Sequence, residues 1–417
     1  MWKNVIGQER VKKIIRQSLE SGKLPNAYLF MGTEGVGKDA VAIELAKALN
    51  CTDPVSGGVE ACDECSNCKS IAALTSPLLY FIFALAKDSG KSTDADDDDD
   101  DVVKIDVVRE EIEAKASDPY HNIQIPKALA INIKQIRDLR MVLSRSMTGG
   151  RKRVVFISEA DTMRKEAQNA FLKSLEEPHD NTLIILTSSN PGRLYATILS
   201  RCQDMRFDLL TPKEIADALV ERDDLERKQA EFLARLSGGS YSVARGMVNE
   251  DVDALRKQVV QLLRMGLSRS RRNALAEIDN FLPRAGGGSF LEKRQTVEQL
   301  LHLLTLWLRD ALVLTSAQRI VPPSKGGVGV VDSESEINRN QPPPTPLLEK
   351  EGEKYLFNND QLEDLKKFTA VFDEPRNIVK ALRSVEIAQR NVRLQLQLRP
   401  VVLQMVMDME QALIPQS

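Results

Sequence analysis

Aromatic residues make up only 5% of this 417-residue chain, and histidine occurs three times. So few rings argue against a carbohydrate or single-stranded nucleic-acid platform built on stacking. His121, His179 and His302 all lack the serine, cysteine or carboxylate setting of nucleophilic catalysis, and His302 sits in a Leu-rich helical pattern. No apolar run approaches the roughly 20 residues of a membrane span. The N-terminus, Met1-Trp-Lys-Asn-Val-Ile-Gly-Gln-Glu-Arg, has no apolar signal core. A cytoplasmic chain with no membrane partner is therefore expected. Five cysteines in a reducing compartment are not read as disulfides. The net charge is −3, but seven acids lie in one run, Asp94 to Asp101 interrupted by Ala95, and without them the rest carries +4. The charge balance thus says little about partners.

At roughly 150 residues per domain the length suggests about three domains. Up to residue 208, helical and strand patterns alternate. Val11 to Leu19 has helical spacing, Ala27 to Met31 is a short apolar run ended by Gly32, and Ala40 to Leu49 is helical again. Arg153 to Ile157 and Thr182 to Thr187 are two further continuous apolar strands. Between them Met163, Ala167, Ala170, Phe171 and Leu175 mark one helix face. Continuous apolar strands alternating with helices imply an α/β parallel sheet covered on both faces. The Asp run makes residues 88–101 a solvated insert. A small helical domain is expected over 209–275, with a turn at Ser237-Gly-Gly-Ser240, and an all-α domain over 276–417. Leu300 to Leu314 around Trp307 is its most apolar helix, and a flexible loop is expected at about 321–346. Val392, Leu394, Leu396 and Leu398 alternate with polar residues and by period alone read as a strand.

Gly32-Thr-Glu-Gly35-Val-Gly37-Lys38-Asp39 follows a strand and opens a helix, the context of a phosphate-binding loop. Glycines turn the backbone amides inward, and the helix N-terminus favours an anion. The hydroxyl that would ligate Mg²⁺ is missing, since Asp39 stands in its place. A carboxylate there could hold Mg²⁺, yet it would repel a triphosphate by up to ~4 kcal/mol per charge pair at an effective dielectric of ~20. The strand ending at Ile157 is followed by Ser158 where a hydrolytic site places its metal-holding acid, with Glu159 left to polarise a water. ATP binding therefore stays open, hydrolysis is not expected, and a loop that merely joins strand to helix is the plain alternative.

Cys51, Cys62, Cys65 and Cys68 supply four thiolates at a spacing that suits tetrahedral, structural Zn²⁺, with a redox pair as the lesser alternative. Arg264, Arg269, Arg271 and Arg272 read as a solvated helix face, and Gly149-Gly-Arg-Lys-Arg153 as a turn feeding a strand.

Val5-Ile-Gly-Gln8, Leu24-Pro-Asn-Ala-Tyr-Leu-Phe30, the phosphate loop, the cysteine cluster, Phe171-Leu-Lys-Ser-Leu-Glu-Glu-Pro178 and Thr197-Ile-Leu-Ser-Arg-Cys202 occur in that order. Together they resemble the AAA+ clamp-loader subunits of bacterial DNA polymerase III, most of all delta-prime. The resemblance is dense over 1–208 and only architectural beyond about 275. It implies an AAA+ core, a helical lid and a helical collar. It also implies gamma/tau and delta subunits as partners, and a sliding clamp and primed DNA met through the assembled complex. Arg201, in the Ser-Arg-Cys motif, takes the position of an arginine that acts in trans on the neighbouring subunit's ATP. A surface arginine pairing with a local acid such as Asp204 is the alternative. Ser188 and Ser189 align with the sensor position. Motor subunits carry Gly-Ser-x-Arg, where this chain has Gly239-Ser-Tyr-Ser242; Arg245, one turn later, is either a substitute for that arginine or, the favoured reading, a solvent-facing helix residue. Two other readings remain: a gamma/tau-like ATPase, and a zinc-containing nucleic-acid-binding protein with no loader role.

Overall fold

The computed structural model describes residues 2–55, 59–86, 105–126, 128–144, 151–177, 181–267, 290–318, 356–370, 375–394 and 396–413. The expected insert at 88–101 and the loop at 321–346 lie outside them. Contacts divide the chain into two compact units, Met1–Glu250 and Asp251–Ser417.

The first unit is built on five parallel strands: β1 (Ala27–Met31), β2 (Leu79–Ile82), β3 (Arg153–Ile157), β4 (Thr182–Ser188) and β5 (Gln203–Arg206), in the order β2-β3-β4-β1-β5. Their apolar runs are continuous because both faces are covered. Every residue of β3 is buried, and so are all but the first of β4. The helix α1 (Glu9–Glu20) precedes β1, and α2 (Lys38–Asn50) follows it. The short α3 (Ser66–Ala72) leads to β2; α4 (Ile105–Ser117) and α5 (Ile133–Leu143) lie between β2 and β3. On α6 (Lys165–Glu176), Ala167, Phe171 and Leu175 are buried in the core, as the periodicity requires; Met163 is buried just ahead of the helix.

The strand order brings the carboxyl ends of β1, β3 and β4 side by side. Met31 is in register with Ser188, and Ile157 with Leu186. The loop after β1 therefore opens beside Ser158 and Thr187, in the crevice where α/β sheets bind ligands. The short α7 (Ala196–Leu199) precedes β5. Three helices complete the unit, α8 (Pro212–Asp223), α9 (Arg227–Leu236) and α10 (Tyr241–Gly246). Thr211 and Glu214 form a capping box at the start of α8, with Pro212 at a position where its missing N–H costs nothing.

The second unit is helical: α11 (Val252–Leu267), α12 (Phe290–Gln318), α13 (Leu362–Thr369), α14 (Pro375–Arg393) and α15 (Leu398–Leu413). Leu300, Leu304, Trp307 and Leu308 are buried on α12. Helix α11, inside the stretch expected to belong to the lid, packs on α12 and α15. The alternation from Val392 to Leu398 is not a strand. Val392 closes the last turn of α14, Leu398 opens α15, and a turn between them leaves Leu396 exposed. Pro400 fits a first helical turn and would be out of place in a central strand.

Candidate nucleotide site and cysteine cluster

Gly35 and Gly37 both take left-handed backbone conformations, with φ of 76° and 101°, which bend the loop around its own interior. Gly37 caps α2, so Lys38 and Asp39 occupy its first turn. Lys38 is buried as a residue, and its ammonium folds back on the loop, donating to the carbonyls of Gly32 and Thr33, each at 2.8 Å. Burial lowers its pKa, while the charges of Asp39, Glu34, Glu159 and Asp161 oppose that shift.

Asp39 is the centre of the arrangement. Its Oδ2 lies 2.7 Å from the ammonium of Lys115 and accepts from the Ser158 hydroxyl at 2.9 Å. Its Oδ1 accepts from Thr187 Oγ1, also at 2.9 Å. Burial pushes the carboxyl upward in pKa, but the Lys115 charge and hydrogen bond, then Lys38 and Ser158, outweigh it and hold the group below its usual value. An ionised Asp39 is thus satisfied entirely within the protein. The cation beside it is a lysine from α4, and the hydroxyl of Ser158 stands where a hydrolytic site would place an acid.

The remaining expected residues are spread around this centre. Ser188 is buried and donates to Asp161 Oδ1 at 2.8 Å; Ser189 is half-buried, just beyond the end of β4. Glu159 has a left-handed backbone, and its amide donates to Thr187 Oγ1 at 3.2 Å. Ser240 and Ser242 come against the loop itself. A Cβ on Gly35 would lie 2.2 Å from the Ser240 hydroxyl and 2.0 Å from that of Ser242. The Tyr241 amide donates to the Gly35 carbonyl at 3.0 Å. Arg245 does not turn to solvent alone: it pairs with Asp118 and Asp223. Arg201 is exposed at the end of α7, donating to the Thr197 carbonyl at 2.9 Å and pairing with Glu176 at 2.9 Å, not with Asp204.

Three participants escaped the sequence reading: Lys115, Tyr120 and Thr187. Thr187 carries a readable signal, because it lies near the carboxyl end of a continuous strand beside the loop. Lys115 and Tyr120 carry none, since they sit in a mixed-charge stretch without apolar period.

The four cysteines do converge. Their sulfurs all lie within 4.8 Å of one another. Four thiolates around Zn²⁺, at about 2.3 Å each, stand about 3.8 Å apart, so only a small contraction is needed. Cys51 ends α2, and Cys65 caps α3 by accepting from the Cys68 amide. The amides of Cys62, Cys65 and Cys68 donate to the sulfurs of Cys51, Cys62 and Cys65 at 3.3, 3.3 and 3.4 Å. Such bonds favour thiolate. Against the upward push of burial, hydrogen bonds from Thr52 and Cys68 bring Cys65 down to about 5, while burial raises Cys51 and Cys68. The buried Lys47 of α2 pairs with Glu44 on the same helix at 2.6 Å and ties the knuckle to it through Asp63 at 2.5 Å. This donor set can hold a metal ion.

Comparison with known proteins agrees with this geometry. The family model described as DNA polymerase III, delta subunit, matches residues 7–211. The delta-prime subunit of Bacillus subtilis DNA polymerase III is 30% identical over 73% of this chain and 77% of its own length. The chain belongs to the delta-prime family of DNA polymerase III clamp-loader subunits. The delta-prime subunit of Pseudomonas aeruginosa is 33% identical over 62% of this chain and 66% of its own. The tau subunit of Escherichia coli is 28% identical, but this chain spans only 32% of it. The matched residues 7–211 lie within the first unit. No described helix is long and apolar enough to cross a membrane.

Proposed function

We propose that this delta-prime-like chain is a stationary subunit of a clamp loader. It completes the ring beside delta and gamma/tau subunits and does not itself hydrolyse ATP. The observation that carries the reading is the pairing of Asp39 with Lys115 at 2.7 Å. Hydrolysis at a phosphate loop needs Mg²⁺ held by a hydroxyl and an acid. Here the first position is a carboxylate neutralised by lysine, and the second is Ser158, which donates to that carboxylate.

Arg201 is the chain's contribution to chemistry elsewhere. It stands exposed at the end of α7 with its guanidinium parked on Glu176. An arginine entering a neighbouring gamma/tau site stabilises charge on the phosphoryl group in flight, an effect of about 10³- to 10⁵-fold for such fingers. The partner's ATP would thereby drive a sliding clamp open and shut on primed DNA. The cysteine cluster holds structural Zn²⁺, which fixes the segment between α2 and β2. The helical second unit is the collar that joins the ring, and α8–α10 serve as the lid.

The test is Arg201→Ala in a reconstituted loader. DNA-stimulated ATP turnover should fall while gel filtration still shows the full assembly. Unchanged turnover would remove the trans role. Turnover by the isolated chain with Mg²⁺ would instead make it a gamma/tau-like motor, and salt-sensitive DNA binding by the lone chain would favour a nucleic-acid-binding role.

A further inference from the structure

The stretch from Lys115 to Asn122 crosses the phosphate loop from one side to the other. At one end Lys115 sits on Asp39 and also donates to the His121 carbonyl at 2.8 Å, which folds the stretch back on itself. In the middle Tyr120 is 3% exposed. Its hydroxyl accepts from the Ile6 amide at 2.8 Å, and it would lie 2.7 Å from a Cβ on Gly37. Its ring meets that of Tyr241 edge-on, with centroids 4.9 Å apart. At the other end Asn122 donates to Glu34 Oε1 at 2.6 Å. Asp118 pairs with Arg245 of α10. One short piece of chain therefore touches the loop at Glu34, Gly37 and Asp39, the N-terminal segment at Ile6, and the lid at Tyr241 and Arg245.

A nucleotide bound by such a loop lays its phosphates on the loop amides, with a cation at the first turn of the helix. Its sugar and base must leave through the space bounded by the loop, the segment before α1 and the lid. Tyr120 fills the angle between those three. Lys115 supplies positive charge where the cation would be.

We propose that residues 115–122 are an internal occupant of the phosphate-loop site, competing with nucleotide through Lys115 at the cation position and Tyr120 in the space beyond the loop. This deepens the reading of a non-hydrolysing subunit, on which it rests, by naming what holds the site closed. It makes no use of Arg201, so the two fail separately: the occupant is tested on the single chain, the arginine only in the assembled loader.

The experiment measures binding of labelled ATP to the full chain by equilibrium dialysis, with Mg²⁺ and with EDTA. Amide hydrogen exchange of residues 105–126 is followed with and without ATP. Tyr120→Ala, which keeps the Lys115–Asp39 pair, should bind ATP at least about tenfold more tightly than the wild type. Because the loss of a buried ring can unfold the site, Asp39→Thr with Lys115→Met is measured beside it and should gain Mg²⁺-dependent binding of similar size. If the wild type binds ATP at all, exchange over 105–126 should rise as the segment is displaced. Wild-type binding with that exchange unchanged would mean that nucleotide and segment coexist, and would overturn the proposal. So would folded variants that bind no better than the wild type.

Discussion

The ammonium of Lys115 and the carboxylate of Asp39 meet at 2.7 Å, the lysine 3% and the aspartate 17% exposed. Ser158 and Thr187 donate to the same carboxylate. A buried pair of this kind is costly to assemble but far more costly to break singly, because the surviving charge has no water to turn to. The loop is thereby tied to α4, to β4 and to the end of β3 at once.

Breaking the pair from one side should cost about 3–5 kcal/mol of stability in the first unit. Lys115→Met leaves Asp39 ionised and enclosed; Asp39→Asn leaves the lysine without its counter-charge. Combining the two should recover much of the loss, since the amide oxygen can still accept from one of the two hydroxyls while its NH2 donates to the other. The chain has two tryptophans, Trp2 in the first unit and Trp307 in the second. In a Trp307→Phe background, urea unfolding followed by fluorescence reports on Trp2 alone. Single effects that add to within about 0.5 kcal/mol would show that the two groups are not coupled.

The same carboxylate sets a pH dependence whose sign follows from its depressed pKa. An acid whose folded pKa lies below its unfolded value of about 3.9 contributes stability that is complete above that value. The contribution drains away as pH falls from there through the folded pKa. Asp39→Asn should therefore flatten the acid limb of the stability profile below about pH 4 and leave its slope near neutrality unchanged. Unfolding of the Trp307→Phe chain between pH 2.5 and 7, with and without Asp39→Asn, measures this. An acid limb as steep in the variant as in the parent would assign the titration to other carboxylates.

What could be read in advance divides along a physical line. The strands β1, β3 and β4 announced themselves as continuous apolar runs, and the phosphate loop and cysteine knuckle as short-range spacings. All of these are local. The alternation from Val392 to Leu398 was also local, yet it misled, because a helix end, a turn and a helix start can mimic period two over a few residues. Lys115, Tyr120 and the partner of Arg201 were illegible for a different reason. Lys115 belongs to a charged stretch whose solvated neighbours look the same as it does, and only the folded chain brings it to Asp39. Tyr120 has no periodic company. Arg201 has an acid close by in sequence, Asp204, but the end of α6 presents Glu176 instead. Spacing thus revealed which residues form the loop, and the fold alone revealed what lies across it.

The cysteine cluster yields the last prediction. The chain has five cysteines, and four of them gather their sulfurs within 4.8 Å. The fifth, Cys202, packs beside the core, and burial followed by the Asp204 charge lifts its thiol to about 12. Reactivity follows thiolate and exposure, so Cys202 should be slow. In the zinc-loaded chain the other four are bound as thiolates and shielded. Purified protein should accordingly carry one zinc per chain by elemental analysis and show almost no fast-reacting thiol at pH 7. Chelation should release the metal and make the cluster's thiols available, with Cys65, already brought down to about 5, the quickest, and Cys51 and Cys68, raised by burial, slower. Because the site orders a segment with little core of its own, metal loss should raise hydrogen exchange over residues 51–72 while leaving β3 and β4 protected. Cys68→Ser should reproduce that pattern without chelator. Four slow thiols in metal-free protein, or full exchange protection after chelation, would show that the knuckle stands on its own packing, held by Lys47 between Glu44 and Asp63.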